Sequence, residues 1–317
     1  MRSEPPPGFR AAPLPADDEM ELPDPRNADI LVSINGELKP RSDAKVSVFD
    51  SSVQGGDAVW EGLRVYRGRI ADFDRHLDRL LGSAHAMAFA DVPPREAVRS
   101  ALFETLRANG MTDGVHVRLT LSRGEKVTSG MSPEWNRSGC TLIVLAEWKP
   151  LVYDPAGIRL ITSAIRRNSP QCIDSKIHHA NLINNILAKI EANHAGVDDA
   201  LMLDLDGFVA ETNATNVFLI RDGALETPHT HACLPGVTRA TVIGAARDDG
   251  LRVVEKNLSL TEVYTADEMF TTGTAGALTP VLEVDGRRIG SGSPGALTRR
   301  LQRLHLEHAY ANGTPIG

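Results

Sequence analysis

The chain alternates between two hydrophobic periods from its first ordered-looking segment onward. Between residues 30 and 48, two short apolar runs flank Asn35-Gly36, a dipeptide suited to the positive φ angles of a tight hairpin, so paired strands are expected first. A helical repeat follows in RHLDRLLGSAHAMAF, where Leu77, Leu80, Leu81, Ala84 and Met87 share one face. A second occupies REAVRSALFETLRANG and stops at Gly110. GVHVRLTLS then alternates strictly: Val115, Val117, Leu119 and Leu121 point one way, His116, Arg118 and Thr120 the other. The apolar side belongs against a core, and the side carrying His and Arg is a candidate cleft wall. TLIVLAEW, residues 141–148, reads as a buried strand.

KPLVYDPAG, with two prolines, reads as a linker. Beyond it the pattern predicts a strand over 158–162, a helix over 181–195, and strands over 200–203 and 216–220, with a turn at Asp206-Gly207. Pro235-Gly236 precedes a helix starting near Thr238, and LRVVEKNL and EMFTTG read as short strands. The expected organisation is an amino-terminal arm (1–28), an α/β domain (29–148), a linker (149–156) and a second α/β domain (157–317). A length of 317 residues suits two domains at roughly 100 to 200 residues each.

Composition removes several function classes. No apolar run approaches the roughly 20 residues that span a bilayer, so no membrane role is expected. A formal charge of -7 gives no general basic field for nucleic acid, so any anion site must be local. Cys140, Cys172 and Cys233 are odd in number and lack CxxC spacing, which argues against a disulfide framework or structural zinc and fits a reducing cytoplasm. The first 28 residues, rich in Pro, Ala, Asp and Glu, lack the basic start and apolar stretch of a signal peptide and read as a flexible or surface-draped arm. His229, His231 and Cys233 alternate in HTHAC, a possible metal-ligand spacing, but no fourth ligand is apparent. The segment reads as a loop into LPGVTR, and no metal is expected.

The lysines are Lys39, Lys45, Lys126, Lys149, Lys176, Lys189 and Lys256. Lys39, Lys45, Lys149, Lys189 and Lys256 sit beside a hairpin, in the linker, inside a helix or at a strand end, where they look solvated. Lys126, in RGEKVTSG, lacks the GKS or GKT ending of a phosphate-binding loop. Lys176 instead falls between a strand and the polar start of a helix, in CIDSKIHHANLINNILAKIEA.

In order, the segments INGEL, VWEGLRVY, HLDRL, the Lys176 segment, DGFVAETNATNVF, LPGVTR, and TTGTAGALTPV followed by DGRRIG resemble the class IV (fold type IV) aminotransferases, which include branched-chain and D-amino-acid aminotransferases. The resemblance implies a two-domain α/β (α+β) fold with the active site between the domains. It also implies pyridoxal 5'-phosphate (PLP) as cofactor, and a homodimer or higher homo-oligomer in which a loop of the second subunit completes the pocket. Lys176 matches the lysine that forms the Schiff base to PLP and later shuttles a proton; desolvation readily lowers a lysine pKa for that work. Glu211 matches the carboxylate facing the pyridine nitrogen, where it favours the protonated ring. Arg79, the backbone N–H groups of Val237 and Thr238, and Thr274 match the phosphate-holding elements. Ala275, with Gly273 and Thr274, matches the turn that receives the substrate carboxylate, and Arg64, His116 and Arg118 match substrate-pocket positions.

The implied reaction moves an amino group from an amino acid to a 2-oxo acid such as 2-oxoglutarate or pyruvate. Retention of EGLR and GTA favours L-branched-chain donors. Departures leave the donor open: Gly55, Asn181 and His116 stand where branched-chain enzymes commonly carry tyrosines, GTAGA replaces GTAAE, and His178 and His179 fill a longer stretch after Lys176. A D-amino-acid or (R)-amine aminotransferase, or an aminodeoxychorismate-type lyase, are the alternatives.

Overall fold

The alternating apolar and polar runs assemble into two sheets, each backed by helices, in a computed structural model that describes residues 22–317. The first sheet is antiparallel throughout, in the order Thr314–Pro315, Arg69–Ile70, Ala58–Tyr66, Val115–Ser122, Thr141–Trp148, Leu31–Ile34, Glu37–Pro40. Its opening hairpin turns at Asn35 (φ 54°) and Gly36 (φ 84°), the positive angles that an Asn-Gly turn tolerates. Helices Phe73–Ala86 and Arg95–Ala108 cover one face. Leu77, Leu80, Leu102 and Leu106 there meet Val115, Val117, Leu119 and Leu121 in one core. Truncating any one of these leucines to Ala should cost about 2–5 kcal/mol.

The other face of Val115–Ser122 carries His116 and Arg118, and it looks toward the second sheet. That sheet is mixed, in the order Val253–Glu255, Ala224–Thr227, Asn216–Arg221, Glu268–Gly273, Ala277–Val284, Ile158–Thr162, Asp199–Leu203, Val209–Thr212. Helices Val237–Asp248 and Ala296–Asn312 pack on it around Phe218 and Phe270, whose rings stack at 5.0 Å. No helix among the described residues is long and apolar enough to cross a membrane.

Two segments differ from the pattern-based reading. The expected arm lies outside the described residues as far as residue 21, but Pro25–Asp29 forms a 3-10 helix capped by Asp24. Buried Asn27 exchanges hydrogen bonds with the Trp148 backbone, donating at 2.8 Å and accepting at 2.9 Å, and so ties this turn to the edge of a strand. At the other end the last strand, Thr314–Pro315, joins the first sheet beside Arg69–Ile70. The first and last strands of the described residues thus share one sheet.

Candidate active site

A cavity of about 250 Å³ lies between the sheets. The first sheet contributes Trp60, Gly62, His116 and Arg118; the second contributes Glu211, Thr272 and the turn 274–276. Of the residues singled out in the sequence, Arg79, His116, Arg118, Glu211, Val237, Thr238, Thr274 and Ala275 line this one cavity. Arg64 and Lys176 are not brought into it. Arg64 is buried and faces a neighbouring cavity. Lys176 sits in a turn whose backbone N–H donates to Asp174 Oδ1 at 3.0 Å, and its half-exposed side chain points to the same carboxylate at 3.6 Å.

One end of the cavity is built for an anion. Helix Val237–Asp248 directs its first turn there, and Val237 and Thr238 are buried against the wall. Gly236 makes the approach possible: a Cβ at that position would stand 2.1 Å from Asn216 Oδ1. Beside the helix, Arg79 donates through Nη1 to Pro235 O at 3.0 Å. Its Nε and Nη2 are held by Glu61, a fully buried carboxylate that sequence reasoning passes over: Nε donates to Oε1 and Nη2 to Oε2, each at 2.7 Å. His76 Nδ1 reaches Oε2 at 2.7 Å and His178 Nδ1 reaches Oε1 at 3.2 Å. Burial alone would raise the Glu61 carboxyl, but His178, Arg79 and His76 together hold it well below the usual carboxylate range. Burial lowers His178 to about 4, so its ring is neutral near pH 7. Glu61 can only accept, so this contact places the proton on Nδ1; the longer contact of Nδ1 with Arg79 Nη2, at 3.4 Å, would need the other tautomer.

At the other end Glu211, on strand Val209–Thr212, is buried beside Arg167, with Oε1 2.7 Å from Nη2. Arg167 also donates to Asn185 Oδ1 at 2.9 Å and Ser175 Oγ at 3.1 Å, while its Nε finds no partner among the described residues. Burial pushes the Glu211 carboxyl up, and Arg167 opposes the shift. A carboxylate so placed gains from any further cation in the cavity.

The middle of the cavity carries few but pointed groups. Arg118 lies 3.4 Å above the Trp60 ring, and burial lowers its pKa to about 10, which leaves it charged at neutral pH. His116 is pushed down to about 4 by burial and by nearby Lys149, Arg64 and Arg118, so it is neutral there. The Thr272 Oγ1 is buried in the wall without a hydrogen-bond partner among the described residues. The His178 ring stands 4.1 Å from Trp60 and separates this space from a second, of about 190 Å³, lined by Ser175, Arg167 and His179. Asn181 does not point a donor into the cavity; its Nδ2 donates to Gly56 O at 2.9 Å.

The donors present fit pyridoxal phosphate. A helix start with an arginine suits a phosphate, and a buried carboxylate at the opposite end suits a basic ring nitrogen. The orphaned Thr272 hydroxyl lies between the sheets. Among the described residues no group of three or more His, Cys, Asp or Glu side chains is placed to share a metal ion, the HTHAC segment included.

Residues 58–284 match the amino-transferase class IV family. The chain is 58% identical over 296 residues to branched-chain-amino-acid aminotransferase-like protein 2 of Arabidopsis thaliana, covering 93% of this chain. It spans only 53% of that relative, so about half of the plant protein's length has no counterpart here. It is 35% identical to the branched-chain-amino-acid aminotransferase of Pseudomonas aeruginosa, across 88% of this chain and 92% of the relative. The structure superposes on the branched-chain aminotransferase of the thermophilic archaeon Thermoproteus uzoniensis with norvaline with a TM-score of 0.84, at 29% identity over 91% of this chain and 100% of that one. Motif order, the gathering of Arg79, a helix start and a buried carboxylate on one cavity, and these similarities all assign this chain to the class IV aminotransferases.

Proposed function

We propose that this protein is a PLP-dependent aminotransferase that takes the amino group of an L-branched-chain amino acid and gives it to a 2-oxo acid such as 2-oxoglutarate. The observation that carries the reading is the convergence of Arg79, the Val237–Asp248 helix start and Glu211 on one cavity. PLP, when bound, supplies an electron-withdrawing ring that accepts the electrons released at the substrate's α-carbon. Around it, Arg79 and the amides of Val237 and Thr238 hold the phosphate, helped by Thr274. Glu211 faces the ring nitrogen and favours its protonated form. Arg118 and the turn through Ala275 receive the substrate carboxylate, with neutral His116 beside them; Arg64 supports this wall from behind. Lys176 carries the cofactor covalently and moves the α-proton. To reach the cavity its side chain must leave Asp174 and swing toward the adjoining space that Ser175 already lines.

A homodimer completes the site in this reading. Helix Ile183–His194 exposes Ile183, Ile186, Leu187 and Ile190, the i, i+3, i+4, i+7 stripe of a face that wants cover. Val48, Phe49, Val53 and Val127 are exposed as well, and a second copy of this chain would cover them. The free cysteines, Cys140, Cys172 and Cys233, suit a cytoplasmic setting.

The test is a half-reaction screen of the PLP-loaded protein against paired L- and D-amino acids and chiral amines, read as loss of the visible cofactor band. L-leucine, L-isoleucine and L-valine should react, and turnover should require added 2-oxoglutarate. Preference for D-amino acids or (R)-amines would overturn the donor assignment, and pyruvate release without any acceptor would indicate a lyase. Lys176→Ala should abolish both turnover and the visible band, whereas Glu211→Gln should keep PLP bound and slow proton transfer. Persistence of turnover and band in Lys176→Ala would sink the reading.

A further inference from the structure

Arg64 is a buried cation with no carboxylate within ion-pair distance among the described residues, Asp113 acting on it only from farther off. It projects from strand Ala58–Tyr66, is 6% exposed, and its Nε and Nη1 have no hydrogen-bond partner among the described residues. The guanidinium faces a cavity of about 590 Å³, separate from the one holding Arg79 and Glu211. Helix Ala296–Asn312 supplies the opposite wall, with His305 at depth and Arg299 and Arg303 exposed at the rim, four residues apart on one helix face. His305 is also 6% exposed, and its Nδ1 is unpartnered. Asp113 is the single carboxylate in the lining, against three arginines.

A buried charge without a counter-charge is strongly disfavoured, so this arrangement is incomplete as protein alone. A guanidinium fork matches the two oxygens of a planar oxyanion, and a neutral imidazole can add one N–H. Much of the remaining lining is apolar, including Leu151, Pro155, Leu278 and Leu306. An inorganic anion would leave that surface unused. We propose that this cavity is a second binding site, specific for a small organic carboxylate whose oxygens meet Arg64, His305 and Arg303 while its hydrocarbon body packs on those apolar walls. Tyr153 and Gly276 line both cavities, so the second ligand lies one residue layer from the turn 274–276.

Calorimetric titration of the full chain with 4-methylpentanoate, and separately with inorganic phosphate, tests this without reference to catalysis. Wild type should take up two equivalents of 4-methylpentanoate per chain. Arg303→Gln should weaken one of them by about tenfold, the loss expected for one charge-assisted hydrogen bond. His305→Phe, which keeps an aromatic ring in the packing, should weaken the same equivalent. Arg118→Gln should spare it and weaken the other. A single equivalent that Arg118→Gln weakens and Arg303→Gln spares, or two that both ignore Arg303→Gln and His305→Phe, would overturn the second site, whereas a single equivalent sensitive to Arg303→Gln would count instead against carboxylate binding in the Arg118 cavity. Phosphate that binds the Arg303-sensitive site and is not displaced by 4-methylpentanoate would overturn its assignment to organic carboxylates.

Discussion

Replacing Glu61 with Gln changes one atom and removes a charge on which four donors depend. The wild-type carboxylate is fully enclosed, and each oxygen accepts twice: Oε1 from Arg79 Nε and His178 Nδ1, Oε2 from Arg79 Nη2 and His76 Nδ1. The variant amide keeps one accepting oxygen and turns an NH2 group toward N–H donors. It also leaves the Arg79 guanidinium, only 14% exposed, without its counter-charge. Volume is unchanged, so no cavity contributes; the cost is that of breaking a buried pair from one side, about 3–5 kcal/mol. The pH dependence follows from the depressed pKa. Stabilisation by Glu61 is fully present above its ordinary value of 4.5 and is lost as pH falls through the lower folded value. The gap between wild type and variant should therefore be equal at pH 7 and pH 5.5 and narrow only in stronger acid. Urea unfolding of both proteins at these pH values measures the gap, and fluorescence titration with PLP should show weaker cofactor binding because Arg79 is no longer held. An unfolding free energy within about 1 kcal/mol of wild type at pH 7 would refute the account, since it falls below the range for a broken buried pair.

Acid should weaken the fold through its buried histidines. His116, His178 and His305 are each lowered from 6.5 to about 4 by burial, so between these values the unfolded chain binds protons that the folded chain refuses. Stability should fall with decreasing pH across that window, by up to about 1.4 kcal/mol per pH unit per histidine. His305→Phe should flatten the slope by about one proton; a urea midpoint constant over the window would contradict this. Ile186→Glu, on the exposed stripe of helix Ile183–His194, should leave the monomer's unfolding nearly unchanged but shift sedimentation toward a single chain. An unaltered sedimentation coefficient would place the subunit contact elsewhere.

Local periodicity carries much of the architecture, because a helix or strand with one buried face must repeat its apolar residues at its own period. The helix reading near residue 77, the alternation around residue 117 and the Asn35-Gly36 hairpin all correspond to observed elements for that reason. Helix Ala296–Asn312 is harder to see, since its buried positions include Thr298 and His305 beside Leu301 and Ala309. Pairing of Thr314–Pro315 with Arg69–Ile70 leaves no local mark at all. The same limit governs the cavity. Arg79, Glu211 and the Val237 helix start sit in recognisable segments, whereas Glu61 and Arg167 matter through partners 18 and 44 residues away, distances at which no spacing rule operates.

Lys176 shows where motif and geometry part. Its segment names the residue but not the direction of the turn, because the Asp174 cap that sets the turn is a short-range hydrogen bond available in many loops. The forces holding the outward pose are small: the Lys176–Asp174 pair is solvent-exposed, and such pairs contribute about 0–1 kcal/mol. By contrast His178, two residues on, is anchored by Glu61 and Trp60 in the buried interior. Ser175 is anchored on the other side by Arg167, the partner of Glu211. The segment is thus pinned at both flanks by the groups that frame the cavity, with a weakly held lysine between them. The inward turn of Lys176 that the proposed function requires therefore gives up only the exposed pair, and leaves the anchored flanks where they are.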